Sequence, residues 1–260
     1  MQTRSPLTTP RQTARIHSLD DRRTAQAYRA AREIPRDGLA DWRAAVSAQV
    51  TLTPAMTLLD VGAGTGAFAE AFHDWFGVRV LAVEPAAAMR ELIVRQDGIE
   101  ALAGTAEALP VPDGCADAAW LGSVMHHLTD LRAAARELRR ALKPGAPVLI
   151  RNSFPGRCGR DLRIRFFPEA ERLVDAYPDA EEVSDAFATA GFTRVALRPV
   201  PQRNARTLGE FAASIRREAD SKLRALTDEE FDRGMARLRA AAAGTPEQPA
   251  VSWMDLLVLI

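Results

Sequence analysis

Short apolar runs alternate along this chain with segments whose apolar residues recur every three or four positions. The runs predict buried strands over 57–61, 78–83, 117–121, 147–151, 192–200 and 252–260, and Ala101-Leu102 leads out of a further one. Between them the period is helical. Leu39, Trp42, Val46 and Val50 fall on one stripe of a helix over 38–50, after a helical pattern from residue 20 that breaks at Pro35. Phe68, Phe72 and Phe76 share the face of a helix that Gly77 ends, with His73 one step round from that face and read as a partly exposed helix residue. Further helices are predicted over 89–95, over 131–142 with Lys143-Pro144-Gly145 as the stop, over 180–190 ending at Gly191, over 207–219, and over 227–243. Thr227-Asp228-Glu229-Glu230 opens the last of these as a capping box. Residues 152–177 lose the period and carry Arg157, Arg160, Arg163 and Arg165. Such a charge run is most often solvated, and the other reading is a basic patch for an acidic substrate. Strands alternating with helices predict an α/β fold with a doubly wound, mostly parallel sheet.

Composition narrows the class. The 260 residues are 47% hydrophobic, enough to bury a large core, and 34 Lys+Arg balance 34 Asp+Glu, so no basic field points to nucleic acid. No run of about 18 apolar residues is present, and no membrane partner is expected. The acid-free residues 1–19 resemble a transit segment in composition but read as a frayed tail, with no apolar run of a secretory signal behind them. Cys115 and Cys158 make neither a disulfide framework nor a metal cluster, so no metal is expected and a reducing, cytoplasmic setting fits.

The chemistry is concentrated in Leu58-Leu59-Asp60-Val61-Gly62-Ala63-Gly64-Thr65-Gly66-Ala67. A strand that ends in an acid and enters a glycine turn before a helix suits a ligand that the backbone must approach closely. Glu84 ends the next strand 18 residues beyond Gly66, the position from which a carboxylate can accept both ribose hydroxyls. This pair indicates a nucleoside and leaves open which one, because Gly62 to Ala67 also fits a dinucleotide fingerprint.

Further residues separate the two. Leu-Asp-Val-Gly-x-Gly-x-Gly resembles the first motif of the class I S-adenosylmethionine-dependent methyltransferases. Gly104-Thr105-Ala106-Glu107-Ala108-Leu109-Pro110 is similar to the adenine segment of their UbiE-like, small-molecule members, with Thr105 where Asp is usual. Nicotinamide-binding proteins lack this segment. Met125-His126-His127-Leu128 after the fourth strand, Leu142-Lys143-Pro144-Gly145 before the fifth, and Tyr28-x3-Arg32-x2-Pro35 ahead of the glycine motif extend the likeness, which covers roughly residues 55–200.

The resemblance implies a seven-stranded Rossmann-like sheet of order 3-2-1-4-5-7-6 with an antiparallel last strand. It implies residues 1–50 as a helical cap and 51–260 as the cofactor domain, with substrate-lid insertions at about 153–180 and 203–247. The implied cofactor is S-adenosylmethionine, leaving as S-adenosylhomocysteine. Asp60, Gly62, Gly64 and Gly66 would shape its loop, Glu84 would hold ribose, Thr105 and Ala106 would read adenine, and Ala63, Pro85, Met89 and Glu107 are further implied cofactor-binding residues. The Leu121 carbonyl would meet the methionine amine, and Tyr28 and Arg32 would close over the site. His126 or His127 is the candidate base for a hydroxyl acceptor, and at most one ring is expected to face the site, His126 being nearer the strand tip. The implied acceptor is a small molecule methylated on O, N or C, and the chain would be a monomer or homodimer. The alternatives are a cofactor-binding protein without transfer activity and a nicotinamide oxidoreductase.

Overall fold

The computed structural model describes Arg22, Ala25, Gln26 and residues 36–260. Its strands are β1 (Thr57–Val61), β2 (Arg79–Val83), β3 (Ile99–Leu102), β4 (Ala118–Gly122), β5 (Val148–Asn152), β6 (Arg194–Ala205) and β7 (Ala250–Leu259). They form one sheet in the order β3-β2-β1-β4-β5-β7-β6, with β1 to β5 parallel and β7 antiparallel to both its neighbours. The expected topology is therefore the one found.

Alternation along each strand builds two cores on opposite faces. Leu59 and Val61, Leu121, and Val148 and Ile150 enter one, against helices α4 (Leu131–Ala141) and α7 (Ala180–Ala188). Leu58, Val80, Trp120 and Leu149 enter the other, against α1 (Ala40–Ser47) and α2 (Ala67–Phe76). Trp120 is the hub of this second core: Trp42 meets it edge-on at 5.9 Å, and Phe68 and Phe72 lie 4.7 and 5.1 Å away. Each fully buried side chain of Leu or Phe size contributes about 1.5–3 kcal/mol. Gly77 takes φ 67° and closes α2, as its position predicted.

A third core lies apart from the sheet. Phe166, Phe167, Leu208, Phe211, Leu223 and Leu238 are among its buried residues. They come from α5 (Leu162–Phe166), α8 (Leu208–Ser214), α9 (Ser221–Arg224) and α10 (Asp228–Gly244). Thr227 and Glu230 form the predicted capping box at the start of α10. Residues 152–177, read as aperiodic, contain α5 and the short helix α6 (Glu171–Val174). The arginines there are engaged within the fold. Arg157 donates twice to Asp255 at 2.8 Å, Arg163 pairs with Asp220, and the Arg160 guanidinium lies 3.4 Å from the Trp253 ring centre.

One predicted helix is cut short. After β2 only Ala87–Arg90 is helical, whereas the pattern extended it to Arg95. The chain leaves the helix so that Ile93 can sit against Gly66, where an added Cβ would meet Ile93 Cγ2 at 3.0 Å. β6 runs five residues beyond its expected end at Val200, because β7 continues beside it as far as Ala250.

Candidate active site at the strand tips

β1 delivers Asp60 to the sheet interior and the chain then turns through Gly62, Gly64 and Gly66 at φ 71°, 59° and 87°. Side chains disfavour this region, so glycine is required there on backbone grounds. The N–H groups of Gly62 and Ala63 donate to the Val83 carbonyl at 2.8 and 3.1 Å, which ties the turn to the tip of β2. Glu84 follows at that tip. Its Oε2 accepts from the Gly64 N–H at 2.8 Å and its Oε1 from the Ala86 N–H at 3.0 Å. The carboxylate therefore braces the glycine turn. Arg90 in turn donates to the carbonyls of Glu84 and Pro85 at 2.8 and 3.2 Å. Met89 approaches from the same side, 3.8 Å from where a Gly64 Cβ would stand.

Asp60 is 2% exposed, and its Oδ2 is buried with no hydrogen-bond partner among the described residues. Loss of hydration first, and the charge of Glu84 second, push its carboxyl up to about 7. A buried acid with an unused oxygen under a ligand-binding turn suits a cationic group that would share it.

The third wall follows β3. Ala108 N–H donates to the Thr105 carbonyl at 3.2 Å, making a tight turn around the buried Ala106. Glu107 accepts from the backbone N–H and hydroxyl of Thr129 at 2.8 and 3.0 Å, so the segment after β3 is fastened to the loop after β4. That loop leaves the buried Leu121 and passes through Ser123 and Val124 into a 3-10 turn, Met125–His127. The two imidazoles lie 4.0 Å apart on this single 3-10 turn.

Sequence reasoning missed Tyr177. Its ring stacks on His126 at 4.4 Å and 15°, carrying the segment before α7 onto the β4 tip. The signal available was modest: it is one of two tyrosines in the chain and precedes a proline. Tyr28 and Arg32, expected to close over the site, lie outside the described residues. His73 is no site residue, its Nδ1 being 2.9 Å from the Val78 carbonyl oxygen. Both cysteines are free, and among the described residues no His, Cys, Asp or Glu cluster is placed to hold a metal.

The Asp60 turn, the Glu84 tip, the Ala106 segment and the histidine turn thus follow the carboxyl ends of β1, β2, β3 and β4, the end of an open α/β sheet at which ligands bind. Residues 59–150 match the family model of a methyltransferase domain. The demethylmenaquinone methyltransferase of Renibacterium salmoninarum is 32% identical over 110 residues, which are 42% of this chain and 46% of that protein. The matched segments span between 38% and 54% of the lengths of the first curated relatives. Among solved structures, the geranyl diphosphate C-methyltransferase of Streptomyces coelicolor, in complex with S-adenosylhomocysteine, has a TM-score of 0.52 at 16% identity over 82% of this chain and 75% of that one. The [4+2]-cyclase SpnF has a TM-score of 0.56 at 20% identity over 85% of this chain and 80% of that one. These two likenesses show the fold. The matched span contains the candidate cofactor residues from Asp60 to Leu121, while Tyr28 and Arg32 precede it and Tyr177 follows it.

Proposed function

We propose that this chain is an S-adenosylmethionine-dependent methyltransferase acting on an O, N or C atom of a small-molecule acceptor. The observation that carries the reading is the unpartnered Oδ2 of buried Asp60 beneath a three-glycine turn braced by Glu84. The residues fit the cofactor. Asp60 offers an acceptor to its amine, Glu84 stands at the β2 tip as a carboxylate that can accept from ribose hydroxyls, and the turn at Thr105–Ala106 suits an adenine edge. When bound, the cofactor supplies a methyl group on a sulfonium that is already a good leaving group.

What remains for the protein is alignment and exclusion of water. The glycine turn and Val124 fix one wall. His126 or His127 would hold the proton that a hydroxyl acceptor gives up, a contribution typically worth about 10²–10⁴-fold. We assign the insertions at about 153–180 and 203–247, whose residues fill the third core, to the roof of the acceptor site, with residues 1–50 as a further cap. A cytoplasmic setting fits the two free thiols.

One observation favours a second reading: a protein of this fold is a cyclase, so the fold alone does not set the chemistry. Calorimetry with S-adenosylmethionine, S-adenosylhomocysteine and NADH addresses both. Binding of the first two, lost in Glu84→Ala, is expected. NADH binding without S-adenosylmethionine binding would overturn the assignment. Transfer of labelled methyl to an acceptor panel, lost in the His126→Ala, His127→Ala double variant with cofactor affinity retained, separates an enzyme from a cofactor-binding protein.

A further inference from the structure

We propose that Arg151 is a positioning residue for this site. It holds Ser123 in a left-handed backbone conformation, and that conformation aims the β4 exit at the glycine turn and starts the histidine turn. The functional meaning of the clamp rests on the methyltransferase reading, while its geometry is independent of it.

Among the described residues Ser123 is the one non-glycine at positive φ, 60°. A serine rarely adopts this region unaided. Both ends of the residue are tied to Arg151. The Ser123 N–H donates to the Arg151 carbonyl at 2.7 Å, and Arg151 Nη1 donates to the Ser123 hydroxyl at 2.6 Å. The guanidinium is itself immobilised. Nη2 donates to Gln202 Oε1 at 2.6 Å, and Trp42 Nε1 donates to the same oxygen at 3.1 Å. The rings of Trp42 and Phe68 lie 5.2 and 5.3 Å from the guanidinium carbon, and Arg151 is 7% exposed. One side chain therefore joins the α1 cap, the helix after the glycine turn, the edge strand β6 and the tip of β4.

The next residue shows what the strained turn achieves. Val124 is driven so close to Gly62 that a Cβ there would lie 2.6 Å from Val124 Cγ2. The 3-10 turn bearing His126 and His127 begins immediately after it. An arginine is needed because its planar fork reaches two oxygens in different directions, which a lysine ammonium on a single stem does not reproduce. Strain held by surrounding structure at a site wall is a recurrent mark of function.

The test compares wild type, Arg151→Met, Arg151→Lys and the Arg151→Met, Ser123→Gly double variant, by hydrogen exchange over residues 121–128 and by S-adenosylhomocysteine affinity. Arg151→Met is expected to speed exchange in that segment about tenfold while 131–141 keeps its protection, because the turn opens locally. Affinity is expected to fall about tenfold, since site walls displaced by an ångström carry losses of that order or more. Ser123→Gly in the Arg151→Met background should restore both, because glycine holds φ 60° without an anchor. Arg151→Lys should fall between, and it carries the comparison if Arg151→Met does not fold. Unchanged exchange in both Arg151 variants, or no restoration by glycine, overturns the proposal. These exchange differences among the variants, together with a wild type that binds no S-adenosylhomocysteine, would leave the clamp standing and remove the methyltransferase reading.

Discussion

Gly62 and Gly64 share a backbone conformation and differ in their surroundings, and alanine at each should separate the two demands on the glycine turn. Both sit in the left-handed region, at φ 71° and 59°. An alanine there costs about 1–2 kcal/mol for the conformation alone. Among the described residues, the new Cβ at Gly64 would meet only Met89 Cε, at 3.8 Å, which is ordinary contact. At Gly62 it would lie 2.6 Å from Val124 Cγ2 and 3.1 Å from Val124 Cβ. Carbon atoms settle near about 3.5–4.0 Å, so Val124 must retreat by about 1 Å. It cannot do so freely, because its carbonyl accepts from His127 N–H at 2.8 Å and anchors the histidine turn. Overpacking of this kind costs about 1–3 kcal/mol.

Gly64→Ala should therefore lose about 1–2 kcal/mol and Gly62→Ala about 2–5 kcal/mol. Urea unfolding with matched m-values measures both, and each kcal/mol should also lower Tm by about 2–4 °C. The clash component has its own check. Val124→Ala removes both Cγ atoms, so Gly62→Ala should cost about 1–3 kcal/mol less in that background. Equal losses at the two glycines, or a coupling energy near zero, would refute the claim that Val124 is packed onto the turn.

Other perturbations probe other parts of the site. Asp60 titrates near 7 when folded and near 3.8 otherwise, so the native state keeps a proton that the unfolded chain releases. Its contribution to stability is full below the unfolded value and is lost as pH rises through about 7, an amount of the order of 4 kcal/mol. Asp60→Asn removes that slope, so urea stability of the variant should gain on wild type between pH 4 and pH 8, and parallel profiles would contradict the buried, proton-holding state. Tyr177→Ala should abolish the ring-current shift of the His126 protons in aromatic NMR spectra while Tyr177→Phe keeps it; an unaltered His126 in the alanine variant would mean that the stack does not exist in solution. Gly234→Ala sets helix propensity, worth about 1 kcal/mol, against a Cβ placed 2.0 Å from Phe167 Cδ1. The overlap should win and Tm should fall; a rise would show that Phe167 moves aside at no cost.

How far the chain could be read from its residues alone depended on where the partners of each segment lie. β1, β2, β4 and β5 were legible because both faces of a central parallel strand are buried, leaving a nearly unbroken apolar run. The glycine turn was legible because the motif carries its own backbone requirement. β6 was read as ending at Val200 because Pro201 and Arg203 break the pattern, and those residues are tolerated since β6 is an edge strand, paired on one side only. The helix after β2 was over-extended because its real end is set by Ile93 fitting Gly66, 27 residues earlier, which no local period encodes.

The same reasoning explains why the walls of the candidate site were harder to see than its floor. The floor is built from neighbours in sequence, and local turn chemistry specifies it. The segments beyond it are held by pairs far apart in the chain: Tyr177 on His126, Arg157 on Asp255, Lys222 on Asp161 at 2.6 Å, and Arg151 between Ser123 and Gln202. An arginine-rich stretch is indistinguishable from a solvated surface until its acids arrive, and here several arrive from 50 residues or more downstream. The insertions therefore hold their shape through buried ion pairs, in which a single charge removed leaves its partner stranded. With the insertions in the proposed roofing role, acceptor preference in a methyl-transfer panel should respond more sharply to changes at Asp161, Asp220 or Asp255 than to changes at the exposed arginines, although none of the three acids lies within residues 59–150; equal responses at both sets would contradict that role.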